Sequence, residues 1–169
     1  MKSPTPKQSQ YGHPRNKSCA CPSGEIVKKI VVAVNLSPHS EATARYGVQI
    51  AERFGARLTL VHVFSPETAN ELITEKDYDA FAKQRWLAEQ NLAGLADSIS
   101  TRCKPCEAVF LVGEPAERIS WLARTLHADL IITGSHHPSF LGMLFGLDQA
   151  PQIMRCAPCP VLVYYEKQP

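Results

Sequence analysis

Five short runs of largely apolar residues punctuate the chain: KKIVVAVN (28–35), RLTLVHVF (57–64), CEAVFLVG (106–113), DLIITG (129–134) and PVLVYY (160–165). Their apolar stretches are too continuous for strands with one wet face, which makes them candidates for strands buried on both faces. The segments between them change period. In LSPHSEATARYGVQIAERFGA, residues Ala44, Gly47, Val48, Ala51 and Phe54 fall on one helical face, with Ser37 as a predicted N-cap, Pro38 as the first helical position and Gly55 as the stop. A second predicted helix, residues 74–100, turns Tyr78, Phe81, Ala88, Leu92, Leu95 and Ile99 to one side. A third, starting near Pro115, turns Ile119, Leu122, Ala123 and Leu126 inward, and a fourth is predicted over Leu144–Arg155. Apolar strands alternating with amphipathic helices specify a doubly wound α/β fold, a five-stranded parallel sheet with helices on both faces.

A chain of 169 residues fits one such domain, large enough to bury about two thirds of its unfolded surface. Residues 1–25 are rich in Pro, Ser, Lys and Gln and lack periodicity, so they are expected to form a flexible tail before a domain at 26–166. A formal net charge of +2 is too small to recruit nucleic acid or an acidic membrane. The N-terminal sequence has no apolar signal-peptide core, and no run approaches the ~20 apolar residues of a membrane span. A cytoplasmic location is expected.

Ligands of doubly wound folds sit beyond the carboxyl ends of the strands, near the point where strand order reverses. That selects residues 35–40, 63–66, 113–115 and 134–148. The last segment begins as a phosphate loop would, a strand running into Gly134-Ser135, and then departs from that pattern with His136, His137 and Asp148.

Three phrases, KKIVVAVNLSPHSEATARYGVQIAERFGARLTLVHV, VGEPAERISWLARTLHADLIITGS and RCAPCPVLVY, resemble the universal stress protein family in order and spacing, over Val27–Tyr165. The resemblance implies a sheet of order 3-2-1-4-5, a homodimer formed through the last strand, and a role in stress tolerance rather than an established catalytic reaction. It also implies where ATP-binding members hold their ligand: a strand-end aspartate, a valine after the second strand, and a G-x-x-G loop followed nine residues later by G-[S/T].

Transferred to this sequence, the aspartate is Asn35, the valine is Val63 and the first loop glycine is Gly134. The second glycine is His137, whose side chain obstructs close backbone approach. Gly146 stands for the last glycine only if one residue is deleted, and Leu147 then replaces the hydroxyl residue, with Asp148 adding negative charge. Each lost charge-assisted hydrogen bond is worth about 1.5–3 kcal/mol. Three such losses would carry a micromolar binder beyond millimolar. The residues therefore argue for weak or absent nucleotide binding and no resident cofactor. A variant pocket in which His136 and His137 contact the phosphate of ATP or AMP is the alternative.

Other polar residues have plainer readings. Asn35 either binds ligand or satisfies the turn after the first strand; Ser37 and Ser40 suit capping; His39 suits a solvated first turn and His62 a core histidine. No carboxylate pair, H-E-x-x-H or Ser-His-Asp spacing supports an enzyme.

The six cysteines form three close pairs, Cys19/Cys21, Cys103/Cys106 and Cys156/Cys159. In order 3-2-1-4-5, with strands about 4.8 Å apart, the starts of strands three and five lie roughly 19 Å apart. Their two pairs therefore cannot share a metal within one subunit. Cys19, Cys21, Cys103 and Cys106 can converge as a four-thiolate zinc site, and CKPC can cycle between dithiol and disulfide. Inert thiols are the third reading. The expected protein is thus a non-catalytic regulatory or protective module acting on a protein partner, with a nucleotide-dependent switch and a thiol or metal sensor as alternatives.

Overall fold

The computed structural model describes residues 27–65, 75–100, 106–135 and 149–165. Along the chain run β1 (Lys29–Ala33), α1 (Ser40–Phe54), β2 (Arg57–Phe64), α2 (Glu75–Ser100), β3 (Cys106–Val112), α3 (Pro115–Leu126), β4 (Leu130–Gly134), α4 (Ala150–Cys156) and β5 (Val161–Tyr164). The strands form one parallel sheet of order β3-β2-β1-β4-β5, the order implied by the family resemblance.

Successive strand residues point to opposite faces, and the apolar runs divide accordingly. Ile30, Val32, Leu58, Leu60 and Ile132 meet Ala44, Val48 and Ala51 of α1 and Leu92 and Ile99 of α2. Val31, Ala33, Val61, Val63 and Ile131 meet Ala116, Ile119, Leu122 and Ala123 of α3 and Ile153 of α4. Both faces of the central strands are therefore dry, which explains why they cannot alternate apolar with polar residues. Among the described residues the edge strands β3 and β5 have one neighbour each, and every residue of β5 is only half-buried.

Side chains at the amino ends of the strands fix the register. One carboxylate oxygen of Asp129, Oδ2, accepts the backbone N–H groups of Lys28 at 2.8 Å and Lys29 at 3.0 Å. Lys29 Nζ donates to the Leu126 carbonyl at 2.8 Å, at the end of α3 where a cation suits the helix dipole. Two helices stop on left-handed residues: Gly55, as predicted, at φ +63°, and His127 at φ +51°.

The structure corrects two local expectations, at Ser37 and at Phe54. Ser37 is not the cap of α1, which begins at Ser40 with His39 in the cap position and no side-chain cap bond. Instead the Ser37 carbonyl accepts the Ser40 N–H at 2.9 Å, closing a separate turn before the helix. Phe54 is 44% exposed, because the helix ends there and its last side chain projects past the core. The fourth helix is described only as Ala150–Cys156, with Pro151 in its first turn; residues 144–148 of the predicted span lie outside the described residues.

Gly47 lies where α1 crosses the sheet, and a Cβ built there would stand 2.6 Å from Val32 Cγ2. Ala is favoured over Gly in a helix interior by about 1 kcal/mol, whereas overpacking against a stiff, buried valine costs about 1–3 kcal/mol. Gly47→Ala is expected to bring no gain and to lower stability by up to about 2 kcal/mol in urea denaturation, against the gain that helix propensity alone dictates.

Candidate functional site

Strand order reverses at β1, which lies between β2 and β4. The carboxyl ends of these strands bring together Asn35, Val63, Gly134 and the start of α1. His137 and Gly146, the remaining predicted pocket residues, lie outside the described residues, as do His136, Leu147 and Asp148.

Asn35 has taken up the structural role. Its Oδ1 accepts the Ser37 N–H at 3.1 Å and the Ser40 hydroxyl at 3.0 Å, tying the end of β1 to the first residue of α1. Between them Leu36 takes a left-handed conformation, φ +58°, a backbone cost of roughly 1–2 kcal/mol for a residue with a Cβ. Its side chain packs against the core under α1, which offsets that cost. Sequence reasoning missed this kink; leucine carries no signal for positive φ.

Val63 is buried in the α3-side core, so its side chain belongs to packing and its backbone alone is available to a ligand. Gly134 meets α1: a Cβ there would stand 2.5 Å from Thr43 Oγ1, whose hydroxyl donates to the His39 carbonyl at 3.3 Å. This glycine has a packing reason independent of any phosphate. The next N–H, of Ser135, donates to the Tyr164 carbonyl at 3.0 Å and extends the ladder with β5. The strand-to-loop junction that sequence suggested as a source of phosphate donors thus spends its first one within the fold. Tyr164 also stacks on Tyr46 of α1, ring centroids 4.8 Å apart.

His62 is a core histidine. Its Nδ1 lies 2.9 Å from the Val34 carbonyl, which can only accept, so Nδ1 carries the proton. Burial pushes the ring's pKa below the ordinary histidine value, opposed by that hydrogen bond. His39 is half-buried at the head of α1.

Of the four proposed zinc ligands only Cys106 is described; Cys19, Cys21 and Cys103 lie outside the described residues. Cys106 is half-buried at the start of β3 and packs on the α1-side core. Cys159, before β5, packs on the opposite core. Cys106 and Cys159 thus lie at the starts of strands on opposite edges of the sheet, as the strand order required. Among the described residues no three His, Cys, Asp or Glu side chains group as metal ligands.

The Universal stress protein family model matches residues 27–164. The chain belongs to this family. A relative from Thermus aquaticus, the universal stress protein in the QAH/OAS sulfhydrylase 3′ region, is 31% identical over 139 residues, covering 82% of this chain and 98% of the relative. Among solved structures, a universal stress protein in complex with cAMP superposes with a TM-score of 0.65 at 20% identity, covering 83% of this chain and 98% of that one. The universal stress protein of Archaeoglobus fulgidus in complex with dAMP gives 0.55 at 23% identity, covering 82% and 98%. These structures share the doubly wound fold described above.

If Gly134 serves packing, Gly134→Ala is expected to destabilise by about 1–3 kcal/mol, and Thr43→Ala in the same chain to recover part of that loss. A double-mutant cycle that returned strict additivity would refute the contact. The His62 ring is harder to charge in the folded state than in the unfolded chain, so unfolding takes up a proton at mildly acidic pH. The stability due to its neutral form is present above about pH 6.5 and declines as pH falls below it towards the lower folded-state pKa. Denaturation midpoints from pH 7.5 to 5 are expected to fall, and His62→Gln to flatten that slope.

Proposed function

We propose that this universal stress protein is a cytoplasmic, non-catalytic regulatory or protective module of the stress response, with a degenerate nucleotide pocket at the reversal point of the sheet. The observation that carries the reading is Asn35. An aspartate there would present a carboxylate; Asn35 instead commits its one acceptor oxygen to Ser37 and Ser40. With the altered residues of the following loop, this leaves a triphosphate fewer partners than it needs. No helix among the described residues is long and apolar enough to cross a membrane, which is compatible with the proposed location.

A second reading is favoured by the relatives solved with cAMP and dAMP. A ligand with one phosphate asks less of the loop than ATP does, and Val63 still offers backbone beside the end of β2. On this reading an adenosine monophosphate is the ligand that switches a protein partner.

The working unit we propose is a homodimer joined along β5. That strand is apolar, only half-buried and, among the described residues, without a neighbouring strand on its outer side, and unpaired strand edges invite pairing with a second chain. Light scattering at micromolar concentration is expected to give twice the mass of one chain; a monomer would refute the pairing.

Calorimetric titration of the reduced protein with Mg-ATP, AMP and cAMP separates the nucleotide readings, together with a search for nucleotide in the supernatant of heat-denatured protein. The leading reading expects no co-purified nucleotide and affinities weaker than about 10 μM, equivalent to less than ~7 kcal/mol. Tighter binding of AMP or cAMP with weak ATP binding would establish the second reading, and tight ATP binding would overturn both.

A further inference from the structure

Two C-x-P-C sequences occur in the chain, at 103–106 and 156–159, and the second lies wholly within the described residues. Cys156 ends α4 and is exposed; Cys159 is half-buried and packs on the α3-side core, as Ala157 and Val161 also do. Neither is in a disulfide. The chain leaves the helical path at Ala157, φ −62° and ψ +135°, then bends at Pro158 and Cys159. The turn is tethered on both sides: Arg124 Nη2 donates to the Cys156 carbonyl at 2.9 Å, and the Ile131 N–H to the Pro160 carbonyl at 3.0 Å. Three residues span at most about 10–11 Å when fully extended. A bent tripeptide step falls short of that, towards the ~4.4–6.8 Å between Cα atoms that a disulfide bridges.

We propose that Cys156 and Cys159 form a dithiol pair oxidised by hydroperoxides, in which exposed Cys156 meets the oxidant and half-buried Cys159 resolves it to a disulfide. In the first step the Cys156 thiolate attacks the outer oxygen of the hydroperoxide, the O–O bond breaks and, with a proton from water, an alcohol (water, for hydrogen peroxide) leaves. Two electrons have passed from sulfur to peroxide, and Cys156 is a sulfenic acid. In the second step Cys159 loses its proton to water and its sulfur attacks Sγ of Cys156; the S–O bond breaks and the departing hydroxide is protonated to water. Two thiols and one hydroperoxide thus give one disulfide, one alcohol and one water, and a cellular thiol reductant reverses the change.

The surroundings divide the labour. Burial, reinforced by the charge of Asp129, pushes the Cys159 thiol up, against a backbone bond at Ile131 that acts the other way. Cys159 is thereby the poorer first target and is kept as the thiol until a sulfenic acid forms three residues away. Cys159 lies two residues before β5, so the bridge forms next to the start of that edge strand.

The test is peptide mapping with differential alkylation of the reduced full-length chain after hydrogen peroxide or cumene hydroperoxide, alongside Cys159→Ser and Cys156→Ser. The expected result is an intramolecular 156–159 disulfide in the wild type, reversed by dithiothreitol. Cys159→Ser should accumulate a sulfenic acid at Cys156 that dimedone traps, and Cys156→Ser should leave Cys159 reduced. Cys159→Ala serves if the serine variant loses its circular dichroism spectrum. Peroxide-treated wild type with Cys159 still reduced while Cys156 advances to sulfinic acid, or with Cys156 bridged to a second copy, or with oxidation confined to the other four cysteines, would overturn the proposal.

Discussion

A strand buried on both faces has no side chain to offer a ligand, and β1 is such a strand. Ile30, Val31 and Val32 are almost fully buried, alternately under α1 and α3, while the backbone is bonded to β2 on one side and β4 on the other. The rest of the architecture follows from keeping that strand dry. Helices must return over both faces, the connections must cross, and polar chemistry is displaced to the two ends of the sheet. At the amino ends it serves register, through Asp129 and Lys29. At the carboxyl ends it is free to serve function, and Asn35, Ser40, Thr43, Thr133 and Ser135 cluster there.

Among the described residues, several polar groups at those carboxyl ends are engaged within the fold. Asn35 ties β1 to α1, Thr43 fills the space over Gly134, and Ser135 continues the ladder to Tyr164. Each uses locally a group that a phosphate-binding version of the fold can direct at a ligand. The Leu36 kink belongs to the same arrangement: it turns the chain sharply enough for one amide oxygen to reach both Ser37 and Ser40. These contacts are what the proposed degenerate pocket rests on.

The edge strands carry what the interior cannot. β3 and β5 each follow a C-x-P-C sequence, and each is less buried than the three strands between them. A thiol pair placed where β5 begins lies two strands from β1, and β4 is the strand to which β5 is bonded. The proposed pairing along β5 and the proposed chemistry of Cys156 and Cys159 therefore concern one part of the molecule, although they rest on separate observations.

The apolar runs, the helical faces of α1 and α3 and the stop at Gly55 could be read from sequence because each depends on a local period or on the conformational freedom of a single residue. Family membership was legible for a related reason: phrases such as RCAPCPVLVY record local structure in order. That the Asn35 amide oxygen accepts from both Ser37 and Ser40, that Gly134 faces Thr43, and that Ser135 pairs with Tyr164 were not legible, since each contact depends on an approach that only the folded chain fixes. The Ser37 cap and the inward Phe54 failed at helix ends, where a local pattern does not say which turn the core will cover. Sequence by itself determined the order of strands and helices and the faces they bury, because periodicity and burial are properties of single segments. The tertiary structure alone decided which polar groups at the strand ends are used up in holding the fold, because a hydrogen bond between distant segments exists only once both have been brought to one place.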